Sequence, residues 1–270
     1  MPRTTVRHLL VLLLLGLMSA GCGTDTLKIG VLTDEPGVAY QDPSTTVRSG
    51  FEISMYRWIA TNTEPNFNYE EFDLTVGSRE QALQRERVDV VVGSYSITDY
   101  RRTQIDFAGP YLISQQGVMI RSDGPLRDIT QADQLAGKTV CAQRGSTSTD
   151  QLKSLAGGTV TVREFVGLKE CVDALIRDDV DAVSTDQILL RGYAKDDSRL
   201  TVPDTVVFGT FENYGVGLPL GDHDACEEWS TRLQSFLSDP AWNQFYIESF
   251  GEPPPPGTKP QPNSLDPCPD

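Results

Sequence analysis

Apolar positions along the chain alternate between short β-branched runs and stretches with helical spacing. LKIGVL (Leu27 to Leu32) predicts a buried strand, and Phe51, Met55, Trp58 and Ile59 at i, i+4, i+7 and i+8 predict the buried face of a helix. FDLTV (Phe72 to Val76) reads as the next strand, and SREQALQRER opens with Ser78 and Gln81 in capping-box spacing. VDVVVG (Val88 to Gly93), apolar on both faces, belongs inside a parallel sheet.

The second half repeats the alternation: KTVCAQ, STSTDQLKSLA, TVTVREF, LKECVDALIRD, DAVST and DQILLRGYA read as strand, helix, strand, helix, strand, helix. Gly117 to Asp123 and Phe211 to Pro219 flank it as two extended crossovers, each with a hinge nearby. Ala225, Trp229, Leu233 and Phe236 mark a further helix, and DPAWNQFYIESF predicts one that returns to the first half. The fold class is therefore α/β with two lobes: 27–118 and 214–250 form the first, and 119–213 the second. The proline-rich residues 251–270 are predicted as an extended tail that builds no core of its own.

Composition adds compartment. Arg3 and Arg7, an apolar run from Leu9 to Met18 and the small residues Ser19, Ala20 and Gly21 predict a signal peptide over 1–21. SAGC resembles the bacterial lipobox, with Ser19 where that motif usually carries leucine, so Cys22 is the expected lipidation site at the head of a short tether, 22–26. The remaining cysteines, Cys141, Cys171, Cys226 and Cys268, allow three pairings. Cys141 with Cys171 and Cys226 with Cys268 is favoured, because each pair lies within one lobe or its tail. A formal net charge of −15 disfavours nucleic acid as a partner. No CxxC or His-Cys spacing points to a metal, and no cofactor is expected.

Ligands of open α/β sheets sit beyond the carboxyl ends of the strands. Ser94 to Arg101 follows VDVVVG at that location, where the Ser94 carbonyl and Ser96 hydroxyl can meet a ligand and Arg101 offers a fork for a carboxylate. In an isolated turn the same arginine would be an ordinary surface residue. RGSTSTDQL places Ser146 and Thr147 at a strand-to-helix turn that favours an anion, although Ser148 with Gln151 also has plain capping-box spacing. Asp186 ends DAVST, either as an acceptor for an ammonium group or as the N-cap of the next helix. Arg101 and Asp186 across a cleft suit the carboxylate and ammonium of an α-amino acid.

The ordered set SITDYRRTQIDFAGPY, GKTVCAQRGSTS and CVDALIRDDVDAVSTDQILL resembles the polar amino-acid-binding lipoproteins of ABC importers, solute-binding protein family 3, most of all the glutamate type. The resemblance runs from about Leu27 to Phe250 and implies a type II periplasmic-binding-protein fold that closes by hinge motion on its ligand. It assigns Ser96, Arg101, Ser146 and Thr147 to the α-carboxylate, Ser94 and Asp186 to the α-amino group, and Asp34 and Tyr40 to the loop over the ligand. Val76 stands where glutamine-binding relatives carry a second aromatic wall, and Cys141 and Cys171 match positions in glutamate-type relatives. Arg48 and Arg144 are the candidates for a side-chain carboxylate.

The resemblance implies a monomer, held outside the cytoplasm by a lipid anchor, that binds glutamate first and then glutamine, aspartate or asparagine, and delivers it to an ABC permease. A sensor signalling to a membrane protein is the alternative. Hydro-lyases share the fold, but one histidine, His223, follows the leader and no paired carboxylates stand out near Arg101, so no enzyme activity is expected.

Overall fold

The computed structural model describes residues 26–155 and 159–269. The predicted signal peptide and Cys22 lie outside the described residues. In chain order the strands are β1 (Leu27–Val31), β2 (Asp34–Glu35), β3 (Ala39–Gln41), β4 (Arg48–Ser49), β5 (Tyr69–Asp73), β6 (Val90–Val92), β7 (Asp106–Arg121), β8 (Thr139–Gln143), β9 (Thr161–Phe165), β10 (Ala182–Asp186), β11 (Leu200–Thr201) and β12 (Val207–Leu218). The helices are α1 (Phe51–Asn62), α2 (Arg79–Gln84), α3 (Asp99–Arg102), α4 (Thr147–Ser154), α5 (Leu168–Ile176), α6 (Gln187–Ala194), α7 (His223–Ser238) and α8 (Ala241–Phe250).

A nine-stranded sheet runs β5-β1-β6-β12-β7-β10-β8-β9, with β11 added to β7. The pairs β1 with β5, β1 with β6, β8 with β9 and β8 with β10 are parallel, as strand-helix-strand units require. β7 and β12 run antiparallel between these two halves, from Leu218 opposite Asp106 to Val207 opposite Gly117. Charge marks the edges: β5 and β9 expose glutamate or arginine, whereas the three valines of β6 are all buried.

The predicted crossovers, Gly117 to Asp123 and Phe211 to Pro219, overlap these longer strands and run one or two residues past their ends at Arg121 and Leu218. FAGPY, the apolar end of SITDYRRTQIDFAGPY, lies within β7, whose residues from Asp106 to Leu112 are all buried. Buried on both faces, that stretch shows no two-residue alternation from which a strand could be read.

Two capping boxes anticipated from spacing do not form. Ser78 caps nothing on α2; its hydroxyl meets the backbone N–H and carbonyl of Thr75 one turn earlier. On α4 the N-cap is Ser146, whose hydroxyl donates back to the Gln143 carbonyl, and Gln151 turns toward β12.

The main hydrophobic cluster begins in the first half around Ile29, Phe51 and Val91 and continues through Tyr111 and Met119 to Leu175 and Leu190 in the second. A smaller cluster with Val118, Leu135, Val140 and Leu152 fills another part of the second half. α8 returns to the first half, where Trp242 packs edge-on to Phe51 at 5.2 Å and donates from its indole to the Tyr111 carbonyl at 2.9 Å. Disulfides join Cys141 to Cys171 and Cys226 to Cys268, with Cα separations of 5.5 and 5.8 Å.

Candidate functional site

Where β6 and β10 end, the halves face each other across a cavity of about 20 Å3, room for about one water. Ser94, Ser96, Arg101, Ser146, Thr147 and Asp186 all line it, with Val76, Arg79 and Leu189 between them. Residues separated by up to 113 positions thus meet at one point, because parallel strands deliver their carboxyl ends to the same side of the sheet.

Arg101 is 5% exposed and sits in the short helix α3, whose N-cap Thr98 accepts the Arg101 backbone N–H. Its Nη1 donates to the Ser96 carbonyl at 2.7 Å, Nη2 to the Gly145 carbonyl at 3.1 Å, and Nε lies 3.5 Å from Glu80. Burial, with Arg79 close by, lowers the guanidinium pKa to about 10, so it stays charged at neutral pH.

Asp186 precedes α6 at the N-cap position but does not use its side chain to cap. The carboxylate accepts from Gln116 Nε2 at 2.6 Å and from the Tyr214 hydroxyl, donors supplied by the two crossover strands. Burial and the nearby Glu212 raise its pKa well above the usual carboxylate range. Glu212 itself accepts from Gln116 Nε2 at 3.2 Å, from Thr147 Oγ1 at 2.9 Å and from Gln151 Nε2.

Residues 27–252 match the bacterial extracellular solute-binding proteins, family 3. The chain belongs to that family. It is 28% identical over 235 residues to the glutamate-binding protein GluB of Corynebacterium efficiens, covering 84% of this chain and 79% of that one. It is 26% identical over 231 residues to the ABC transporter glutamine-binding protein GlnH of Bacillus subtilis, covering 85% and 83%. An ancestral arginine-binding protein bound to glutamine superimposes with a TM-score of 0.75 at 28% identity, over 84% of this chain and 98% of that chain. The architecture of this family 3 solute-binding protein is the type II periplasmic-binding-protein fold, with β7 and β12 as its crossovers. No helix among the described residues is long and apolar enough to cross a membrane.

Not all the residues singled out in the sequence of this solute-binding protein reach the cavity. Asp34 accepts the backbone N–H of Leu168 at the start of α5 at 2.7 Å, and its own carbonyl accepts the Tyr193 hydroxyl at 2.6 Å. It therefore joins the two halves at their rim, and burial raises its pKa. Tyr40 lies opposite Asp34 in the small β2-β3-β4 sheet, half-buried and off the cavity lining. Arg48 is spent on Glu71 at 2.8 Å and on Asp73, and the Arg144 side chain is exposed, 4.0 Å from Glu164.

Arg79, which the sequence reading passed over, is 1% exposed and lines the cavity. Its Nε donates to the Val76 carbonyl and its Nη1 to the carbonyls of Gly93 and Ser94, while the guanidinium stands 4.1 Å from the centre of the Tyr95 ring. The strand-end rule that singled out Arg101 applies to it as well, since it opens α2 beyond the end of β5.

Beneath Ser94 lie two fully buried acids, Glu35 and Glu52. Ser94 has φ of 41°, a conformation that costs about 1–3 kcal/mol for a residue other than glycine. It is held there by donating its N–H to Glu52 at 2.7 Å and its hydroxyl to Glu35 at 2.9 Å. Burial pushes Glu52 up to about 7, and burial together with the neighbouring Glu52 raises Glu35.

Proposed function

We propose that this chain binds a polar L-amino acid between its lobes outside the cytoplasmic membrane, with glutamate preferred, and passes it to an ABC importer. The observation that carries this reading is that Arg101 and Asp186 line the same buried cavity. In it, Arg101, Ser96, Ser146 and Thr147 hold the α-carboxylate, while Asp186 and the Ser94 carbonyl take the ammonium group. Glutamate preference is supported by Arg79, a second buried guanidinium on the cavity wall, where Arg48 and Arg144 are turned elsewhere. The GluB and GlnH likenesses support both the solute class and the importer.

The cavity of about 20 Å3 is several times too small for an amino acid, so in this reading the lobes part to admit it and close by bending at β7 and β12. A signal peptide ahead of a lipidated Cys22 places the protein beside its permease, on the support of the SAGC sequence. A thermal-shift screen of the twenty amino acids tests the reading. A ligand at a hundredfold excess over its Kd adds about 2.7 kcal/mol of stability. Glutamate is expected to give the largest shift, and a screen in which no amino acid raises the melting temperature rejects the function.

A further inference from the structure

We infer that residues 251–269 form a strap across the hinge that favours the closed arrangement of the lobes, and that the Cys226–Cys268 disulfide fixes it there. The segment lies almost wholly beyond the family match, which ends at residue 252, and its composition cannot build a core. It is nevertheless tied down along its length.

α8 ends at Gly251, whose φ of 79° turns the chain out of the helix. Glu252 then pairs with Arg191 of α6 in the second lobe at 3.5 Å. Pro253 to Pro256 make a stiff extended run, and Pro255 and Pro256 border a cavity of about 100 Å3 against Ile188 of α6 and Phe211 of β12. The Thr258 carbonyl accepts the Ile113 N–H at 2.9 Å, and the Asp266 N–H donates to the Gly109 carbonyl at 2.7 Å. Both partners belong to β7, a strand that must bend when the lobes move. Asp266 also pairs with Arg102 at 2.5 Å, and Cys268 closes the path onto α7.

Both ends of the strap are therefore anchored on the first lobe, at α8 and at Cys226, while its middle touches the hinge and the second lobe. Contacts that exist in the closed arrangement and are lost on opening shift the equilibrium toward closure. A tail without its disulfide frays from its free end and loses that leverage. The closed arrangement leaves no room for the solute until the lobes part, so the strap tunes apparent affinity through the fraction of protein open to admit it, without touching the solute.

Small-angle scattering and amide exchange on the full chain without any ligand test this, independently of which solute is bound. The Cys226→Ser/Cys268→Ser variant is expected to show a larger radius of gyration than the parent. Its Ile113 amide is expected to exchange about tenfold faster, the factor equivalent to about 1.4 kcal/mol. Faster exchange at Ile113 with an unchanged scattering curve overturns the inference, and so does no change in either. Should that variant fail to fold, Glu252→Ala/Asp266→Ala with the disulfide intact decides the matter: the same shift toward openness supports the strap, and an unchanged curve refutes it.

Discussion

Arg101 donates from Nη2 to the carbonyl oxygen of Gly145 at 3.1 Å, reaching from the first lobe to the second. The side chain assigned to the ligand carboxylate is thus also a contact that holds the lobes together. Its planar fork allows both, since Nη1 and Nη2 each carry a second N–H beyond those given to Ser96 and Gly145.

Arg101→Ala removes both roles and is expected to weaken amino-acid binding by about 2–5 kcal/mol, the usual range for stripping one partner from a buried charged pair. Arg101→Lys recovers only part of the loss, because an ammonium has no fork. Calorimetric titration of the two variants checks this, and a lysine variant equal to the parent argues against a forked contact.

Closure also depends on Gly192. A Cβ at this position of α6 would stand 1.8 Å from the Pro36 carbonyl oxygen in the first lobe, and that backbone cannot swing aside as a flexible side chain would. Gly192→Ala therefore pushes the lobes apart while leaving the cavity side chains unchanged. A penalty of about 1–3 kcal/mol, typical of overpacking, is expected on ligand affinity. Equal affinity in the variant would show that the seam at Pro36 is not formed in the bound protein.

Asp186 carries the opposite charge of the proposed clamp. Asp186→Asn is expected to harm α-amino acids more than the corresponding acids that lack the amine. Because burial and the neighbouring Glu212 raise the pKa of Asp186, a proton competes with an ammonium ligand for this carboxylate at higher pH than at an exposed aspartate. Affinity for the amino acid should accordingly rise with pH through that raised value, and the asparagine variant should lose this slope. Competition titrations at several pH values read both effects.

Glu52 links the floor of the site to stability. Its folded pKa of about 7 lies above the ordinary 4.5, so between those values the folded protein holds a proton that the unfolded chain has released. The contribution to stability is complete below 4.5 and is lost as pH rises toward 7, on the order of 3 kcal/mol. Glu52→Gln keeps a neutral group there at all pH values. Urea unfolding should show the variant gaining on the parent between pH 5 and pH 8; parallel stability curves would mean that Glu52 is ionised throughout.

The alternation of strands and helices was legible because each element carries its own period. The placement of Ser94, Arg101 and Asp186 followed from a rule about strand ends. What escaped was the support beneath them. Glu35 and Glu52 look like ordinary charged residues in the sequence, and their burial rests on pairing with Ser94 across 59 and 42 positions and, for Glu52, on the Tyr111 hydroxyl as well. Arg79 was hidden by the capping-box reading of Ser78, which took the start of α2 as a purely local feature. Asp34 and Tyr40 were assigned by resemblance, whereas here Asp34 caps α5 across the seam and Tyr40 remains beside it in the small sheet.

In the proposed function one zwitterion is held by Arg101 at its carboxylate and Asp186 at its ammonium group. Calorimetric titration of the full chain with glutamate, with glutarate, which lacks the amine, and with the α-amide of glutamate tests it most directly. Glutamate is expected to bind and each analogue to be weaker by about tenfold or more, a loss of at least roughly 1.4 kcal/mol. Glutarate binding as tightly as glutamate would contradict it.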